Sequence, residues 1–186
     1  MYKGQDRWQD VMMEMEHRLI ETEKKVSKGH VKIMLTVAAA LLVIAIVLLN
    51  VFTHLMPVVR YYGDGMEPSL KNGQVLFVAK TDRVSKGDII AFYYNNKVLI
   101  RRVIGTGGDQ IQIEKDGSVM VNGKAIEEPY LTEKSIGLCN LNFPHYVSPN
   151  YVFVMGDNRA IAMDSRLEEI GDISTDRIIG KILFVK

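Results

Sequence analysis

The sequence predicts a mainly β protein carried on a single apolar helix, and two observations support this. From Ile33 to Leu49 no residue is charged and nearly all are apolar. With the weaker stretch through Val51-Phe52 and Leu55-Met56, this run reaches the length a bilayer core requires. Past residue 58 the chain changes to short apolar or alternating runs separated by turn dipeptides, the pattern of strands.

The helical part comes first. Trp8, Met12, Met15, Leu19, Thr22 and Val26 recur at steps of four and three with charged residues between them, as on an amphipathic helix from about Gln5 to Lys25. A seam this short, with a threonine on it, makes a poor coiled coil. The helix is therefore read as lying at the headgroup boundary and running into the anchor; docking of a cytoplasmic or membrane partner is the alternative. Lys24, Lys25, Lys28 and Lys32 crowd one side of the apolar run, while Arg60 closely follows the other, which places the N-terminus in the cytoplasm. The exit from the run lacks a small-x-small site, so the segment is read as an uncleaved signal anchor. The expected organisation is a cytoplasmic tail over 1–30, a lipid-embedded span over 31–57 and an extracytoplasmic domain over 58–186, in a single-pass protein of the cell membrane.

Strands are predicted at Val75-Leu76-Phe77-Val78, 88–94, Val98-Leu99-Ile100, 110–113, Val119-Met120-Val121, 151–154 and 178–185. Asn72-Gly73, Lys86-Gly87, Asn95-Asn96, Gly107-Gly108, Asp116-Gly117 and Asn122-Gly123 punctuate them, several being hairpin dipeptides. A formal net charge of +1, with no basic stripe interleaved with aromatics, argues against nucleic acid as a partner. Cys139 is the only cysteine, which excludes an intrachain disulfide and a cysteine zinc site. No cofactor or metal is expected.

Three blocks carry chemistry by their order. They are Tyr61-Tyr62-Gly63-Asp64-Gly65-Met66-Glu67-Pro68-Ser69-Leu70, then Ile100-Arg101-Arg102-Val103-Ile104-Gly105, then Met155-Gly156-Asp157-Asn158-Arg159-Ala160-Ile161-Ala162-Met163-Asp164-Ser165-Arg166. Lys86-Gly87-Asp88-Ile89-Ile90-Ala91-Phe92, Val121-Asn122-Gly123-Lys124 and Glu128-Pro129-Tyr130 lie around them in matching order. Together these resemble type I signal peptidases, membrane serine-lysine peptidases that trim leader peptides from exported proteins. The resemblance implies a curled antiparallel sheet system with a small β subdomain inserted at roughly 105–151. It also implies a nucleophilic serine at the position of Gly65, a lysine base at that of Arg101 and a lysine-orienting serine at that of Ala162.

The residues present cannot fill those roles. Glycine offers no hydroxyl to attack a carbonyl. A lysine can be tuned into a base by burial, whereas arginine keeps its proton at physiological pH. Alanine has no side-chain group with which to orient an amine. Ser69, Ser148, Ser165, His145, His54, Asp64 and Glu67 fall in no rescuing pattern and are read as structural or solvated. Asp64 is one residue from the empty slot and, in an extended segment, would face away from it. Arg101 is expected to fill the lysine pocket and aim its guanidinium at Gly65 or a nearby carbonyl.

By the same resemblance, Gly63, Met66, Val98, Leu99 and Ile100 would pair with an extended substrate, a contact that needs no catalyst. Arg102, Asp157, Asp164 and Arg166 match positions that brace the site through charged contacts. The function expected is a membrane-anchored pseudopeptidase that binds an extended segment of an exported protein and assists its assembly. Inactive relatives are associated with surface pili of Gram-positive bacteria, which makes a pilin a candidate client. The alternatives are an active signal peptidase with a non-standard catalyst and a purely structural membrane partner.

Overall fold

The computed structural model describes residues 5–81 and 83–185, and the side chains of 5–11, 22–29, 52–55 and 184–185 lie outside that description. One helix, α1, runs from Gln5 to Leu55. Within it His30–Val51 is long and apolar enough to cross a membrane, and none of that span is buried by protein. Met12, Met15 and Leu19 are exposed. The other seam residues, Trp8, Thr22 and Val26, fall outside the described side chains, as do Lys24, Lys25, Lys28 and His54. The chain divides into two compact units, 1–52 and 53–186.

The second unit is built from eleven strands. They are β1 (Val58–Arg60), β2 (Val75–Ala79), β3 (Ile89–Tyr94), β4 (Lys97–Thr106), β5 (Gln110–Ile113), β6 (Val119–Val121), β7 (Lys124–Ala125), β8 (His145–Tyr146), β9 (Tyr151–Met155), β10 (Ile173–Ser174) and β11 (Ile178–Val185). A seven-stranded sheet has the order β1-β2-β11-β3-β4-β9-β10, and a four-stranded sheet the order β7-β6-β5-β8. All pairings are antiparallel. The four-stranded sheet comes wholly from residues between β4 and β9, so it is an insertion into the larger one.

Local sequence explains the hairpins. Asn95 and Asn96 join β3 to β4 with φ of 44° and 60°. Asn122 and Gly123 join β6 to β7 with 53° and 75°. Two left-handed residues in a two-residue loop form the turn whose twist suits a hairpin, and asparagine and glycine tolerate it best. The apolar faces then form three cores. Tyr61, Met66, Leu70, Leu76, Val78, Ala91 and Ile100 pack together near β1 and β2. Ile90, Phe92, Val103, Val152, Val154 and Ile173 pack on the other side of β3 and β4. Ile104, Ile111, Val119, Val147, Phe153 and Met155 join the two sheets.

The structure departs from expectation in several elements. β4 continues to Thr106, six residues past the predicted end, because β9 pairs with Arg102–Thr106. His145-Tyr146, outside every predicted strand, forms β8 against Gln110-Ile111. β1, β7 and β10 have two or three residues each, too few for a period to register. The stretch from Gly63 to Leu70 is a run of turns and bends rather than extended chain.

Candidate functional site

A groove of about 420 Å³ is lined by Tyr61, Gly63, Asp64 and Gly65 on one wall, Val98, Leu99, Ile100 and Arg101 on another, and Ile161, Ala162 and Met163 from the third block. The sheet dictates this meeting. Residues Lys97–Arg101 of β4 pair with β3 along one edge, while β9 pairs only from Arg102 onward. The other edge of 97–101 is therefore left without a strand in the described fold. β4 thus offers unpaired main-chain groups along the groove.

Arg101 and Arg102 are neighbours on a strand and project to opposite faces. Arg101 enters the groove. Its Nε donates to the Met163 carbonyl at 2.9 Å and its Nη1 to the Ile100 carbonyl at 2.6 Å. A Cβ added at Gly65 would stand 3.3 Å from Nη2 of Arg101, so the guanidinium occupies the space that a side chain at position 65 would enter. The residue is 7% exposed. Burial pulls its pKa down, and nearby Asp164 partly offsets this; arginine starts so high that it stays protonated at neutral pH. Ala162 is buried next to these two.

The third block is locked to the first through main chain. Asn158 donates its N–H to the Gly65 carbonyl. Gly156 lies so close that a Cβ there would strike both the Gly65 oxygen and the Ala162 Cβ. Only a residue without a side chain permits that approach.

Beneath the groove the charges pair. Arg102 grips Asp157 through Nε at 2.8 Å and Nη2 at 2.5 Å. It also donates to the Gly87 carbonyl and the Ser69 hydroxyl, and stacks on the Tyr130 ring at 3.9 Å. Arg166 grips Asp164 through two bonds of 2.8 Å, with both side chains fully buried. Its Nη1 also donates to the carbonyls of Ile136 and Arg159, while Asp164 further accepts from the backbone N–H groups of Gly156 and Arg166. Planar forks of this kind fix geometry as well as supply energy.

A third pair, Arg159 with Glu128, was not legible in the sequence. Both side chains are buried, and Arg159 uses Nη1 and Nη2 on the two carboxylate oxygens. Tyr130 donates its hydroxyl to Glu128 at 2.8 Å; burial and this bond push the Tyr130 pKa up. Both residues sat in recognised blocks, and an Arg beside a Gly-Asp-Asn turn was the signal available.

Not every expected binding residue lines the groove. Gly63, Val98, Leu99 and Ile100 do. The Met66 side chain does not: it is fully buried with Tyr61, Leu70 and Leu76, so it is not offered to a ligand. The turn at 63–70 is the cause, since it rolls Met66 into the core. The same turn corrects the reading of Asp64, which lines the groove with Gly65. Of the remaining serines and histidine, Ser165 is buried and accepts from the Val154 N–H. Ser148 is exposed, and His145 pairs with Asp172 at 2.9 Å. None of the three lines the groove.

Comparison with known proteins agrees with the three blocks. Residues 27–186 match the family described as signal peptidase, peptidase S26. Signal peptidase I of Bacillus licheniformis is 38% identical over 136 residues, covering 66% of this chain and 72% of the relative. Signal peptidase I T of Bacillus subtilis (strain 168) is 35% identical over 158 residues, covering 77% and 81%. A solved signal peptidase I from Enterococcus faecalis V583 aligns at 24% identity with a TM-score of 0.44, covering 55% of this chain and 97% of that one. The apolar helix and this kinship mark a membrane-anchored protein. With a family match that begins in the helix and runs to the last strand, the chain belongs to the signal peptidase family, peptidase S26.

Proposed function

We propose that this protein is a pseudopeptidase: it holds an extended segment of an exported protein in its groove without cutting it. The observation that carries the reading is the contact between Arg101 and Gly65. A guanidinium fills the place of the base, and position 65 supplies no hydroxyl beside it. Peptide hydrolysis by this route needs a nucleophile and an acceptor for its proton. Ser69 is no substitute, since its hydroxyl faces the Arg102 guanidinium, which cannot accept a proton. The open edge at 97–101 is suited to strand addition, in which main-chain bonds hold a ligand of varied sequence.

In this reading Gly65, Arg101 and Ala162 are vacated catalytic slots, and Gly63, Val98, Leu99 and Ile100 bind the segment. Arg102, Asp157, Asp164 and Arg166 keep the groove in shape. Residues 1–30 form the cytoplasmic tail, 31–57 the span and 58–186 the extracytoplasmic domain, with the orientation supported by the lysines before the span. The tail helix lies at the membrane boundary or meets a cytoplasmic or membrane partner. A pilin is the client that the inactive relatives suggest, and assistance in assembly is the role.

The test is a cleavage assay with the full chain in detergent micelles and a precursor bearing a small-x-small leader. No processing above background is expected. Turnover that disappears in Ser69→Ala would overturn the reading.

A further inference from the structure

Among the described residues, Arg102, Arg159 and Arg166 each hold a carboxylate. Arg101 holds none, although it is buried. Asp164, the strongest electrostatic neighbour of Arg101, has both oxygens bound to Arg166. Asp157 is likewise bound by Arg102. Asp64 lines the groove but is exposed to water. The remaining Arg101 donors spend Nε and Nη1 on two carbonyls, so Nη2 has no hydrogen-bond partner among the described residues. Every sealed side-chain nitrogen and oxygen in the described structure has a partner; Nη2 is therefore not sealed. Arg101 lines the groove with Gly65, and Nη2 is the guanidinium nitrogen nearest to where a Gly65 side chain would stand.

We propose that the groove is a receptor for the free C-terminal carboxylate of an extended peptide, with Arg101 Nη2 as the donor that recognises it. The inference rests on the peptide-binding reading above and narrows its ligand. Charge asks for an anion, because a buried guanidinium without a counter-ion is costly and gains most from a charged acceptor. Shape asks for an extended chain, because the unpaired edge of 97–101 leads along the groove to Arg101. A chain that continues past the site offers only a neutral carbonyl, whereas a cut chain offers two oxygens sharing a negative charge. The reaction that supplies such a ligand is peptide-bond hydrolysis, carried out by another enzyme. The site thus favours leader-type fragments that have already been released over uncut precursors.

Fluorescence anisotropy tests this with the full chain in micelles and a labelled apolar peptide ending in Ala-Gln-Ala, made as the free acid and as the amide. The acid is expected to bind at least about tenfold more tightly, the scale of a hydrogen bond to a charged group. Arg101→Met, or Arg101→Gln should the first not fold, brings the acid to the level of the amide. Equal binding of acid and amide to the native protein overturns the carboxylate assignment and leaves the peptide-binding reading standing. A preference that survives both substitutions also overturns it. Absence of binding by either peptide overturns both readings. Acetate alone is expected to leave the thermal transition in place; stabilisation equal to that by the peptide would make this a simple anion site and overturn the peptide-end assignment.

Discussion

Asn158 donates its backbone N–H to the carbonyl of Gly65 at 3.1 Å. One main-chain bond thus fixes the distance between the loop that carries Gly65 and the loop that carries Ala162. Because neither bonding atom belongs to a side chain, this tie between the two loops does not depend on which side chain stands at position 65.

Restoration should therefore be possible, but only as a set. Gly65→Ser alone places its Cβ 3.3 Å from the Arg101 guanidinium and still lacks a proton acceptor, so no cleavage is expected. Gly65→Ser with Arg101→Lys and Ala162→Ser is expected to process a small-x-small precursor weakly but measurably on gels, since positioning survives the loss of side-chain catalysts. A folded, inserted triple variant with no turnover would mean the groove no longer fits such a substrate.

Asp164→Ala should be strongly destabilising. It strips the carboxylate from a fully buried Arg166, a change that costs about 3–5 kcal/mol. Urea unfolding followed by tryptophan-independent circular dichroism measures it. Replacing both partners by apolar residues should recover much of the loss, because the uncompensated charge is then gone.

Glu128→Ala and Tyr130→Phe should separate two contributions. The first leaves the buried Arg159 unpaired and is expected to cost about 3–5 kcal/mol. The second removes only the hydroxyl that donates to Glu128 and keeps the ring under Arg102, so about 1 kcal/mol is expected. Similar losses in the two variants would contradict the assignment of the pair as the brace.

Acid stability should depend on Asp109. Burial pushes its carboxyl up, but bonds from the Thr106 N–H and hydroxyl, Asn122 and Lys86 outweigh burial and hold its pKa below the ordinary 3.8. A pKa depressed by folding gives stability that is present above the unfolded value and is lost as pH falls through the folded one. Melting temperatures should fall below about pH 4, and Asp109→Asn should lack this component of the slope. An unchanged slope in the variant would rule Asp109 out as its source.

The parts legible in the sequence were those with a local signature. Six of the seven predicted runs needed at most a residue's adjustment, because each has four or more alternating or apolar positions or a hairpin dipeptide beside it. β1, β7, β8 and β10 gave no period, as their two or three residues are shaped by the strand they join. The segments around Gly65, Arg101 and Ala162 were readable as blocks of neighbouring residues, and the structure brings the three to one groove. The Arg159–Glu128 pair was not, since thirty-one positions separate them and no spacing rule links a turn to an inserted loop. Asp64 was assigned to the wrong face because alternation applies to strands and its segment turns; the same turn buries the Met66 side chain.

The order of the large sheet, with β11 between β2 and β3, has a consequence for synthesis. Strands β2 and β3 leave the ribosome roughly a hundred residues before the strand that joins them, as β11 begins at Ile178. Until then β1-β2 is a separate ribbon, and the apolar side of β3 has an unfilled neighbour. Long-range pairing of this kind is slow to form. An anchor already in the bilayer would therefore tether an unfinished domain, whose exposed edges must be kept from other emerging chains until residues 178–185 arrive.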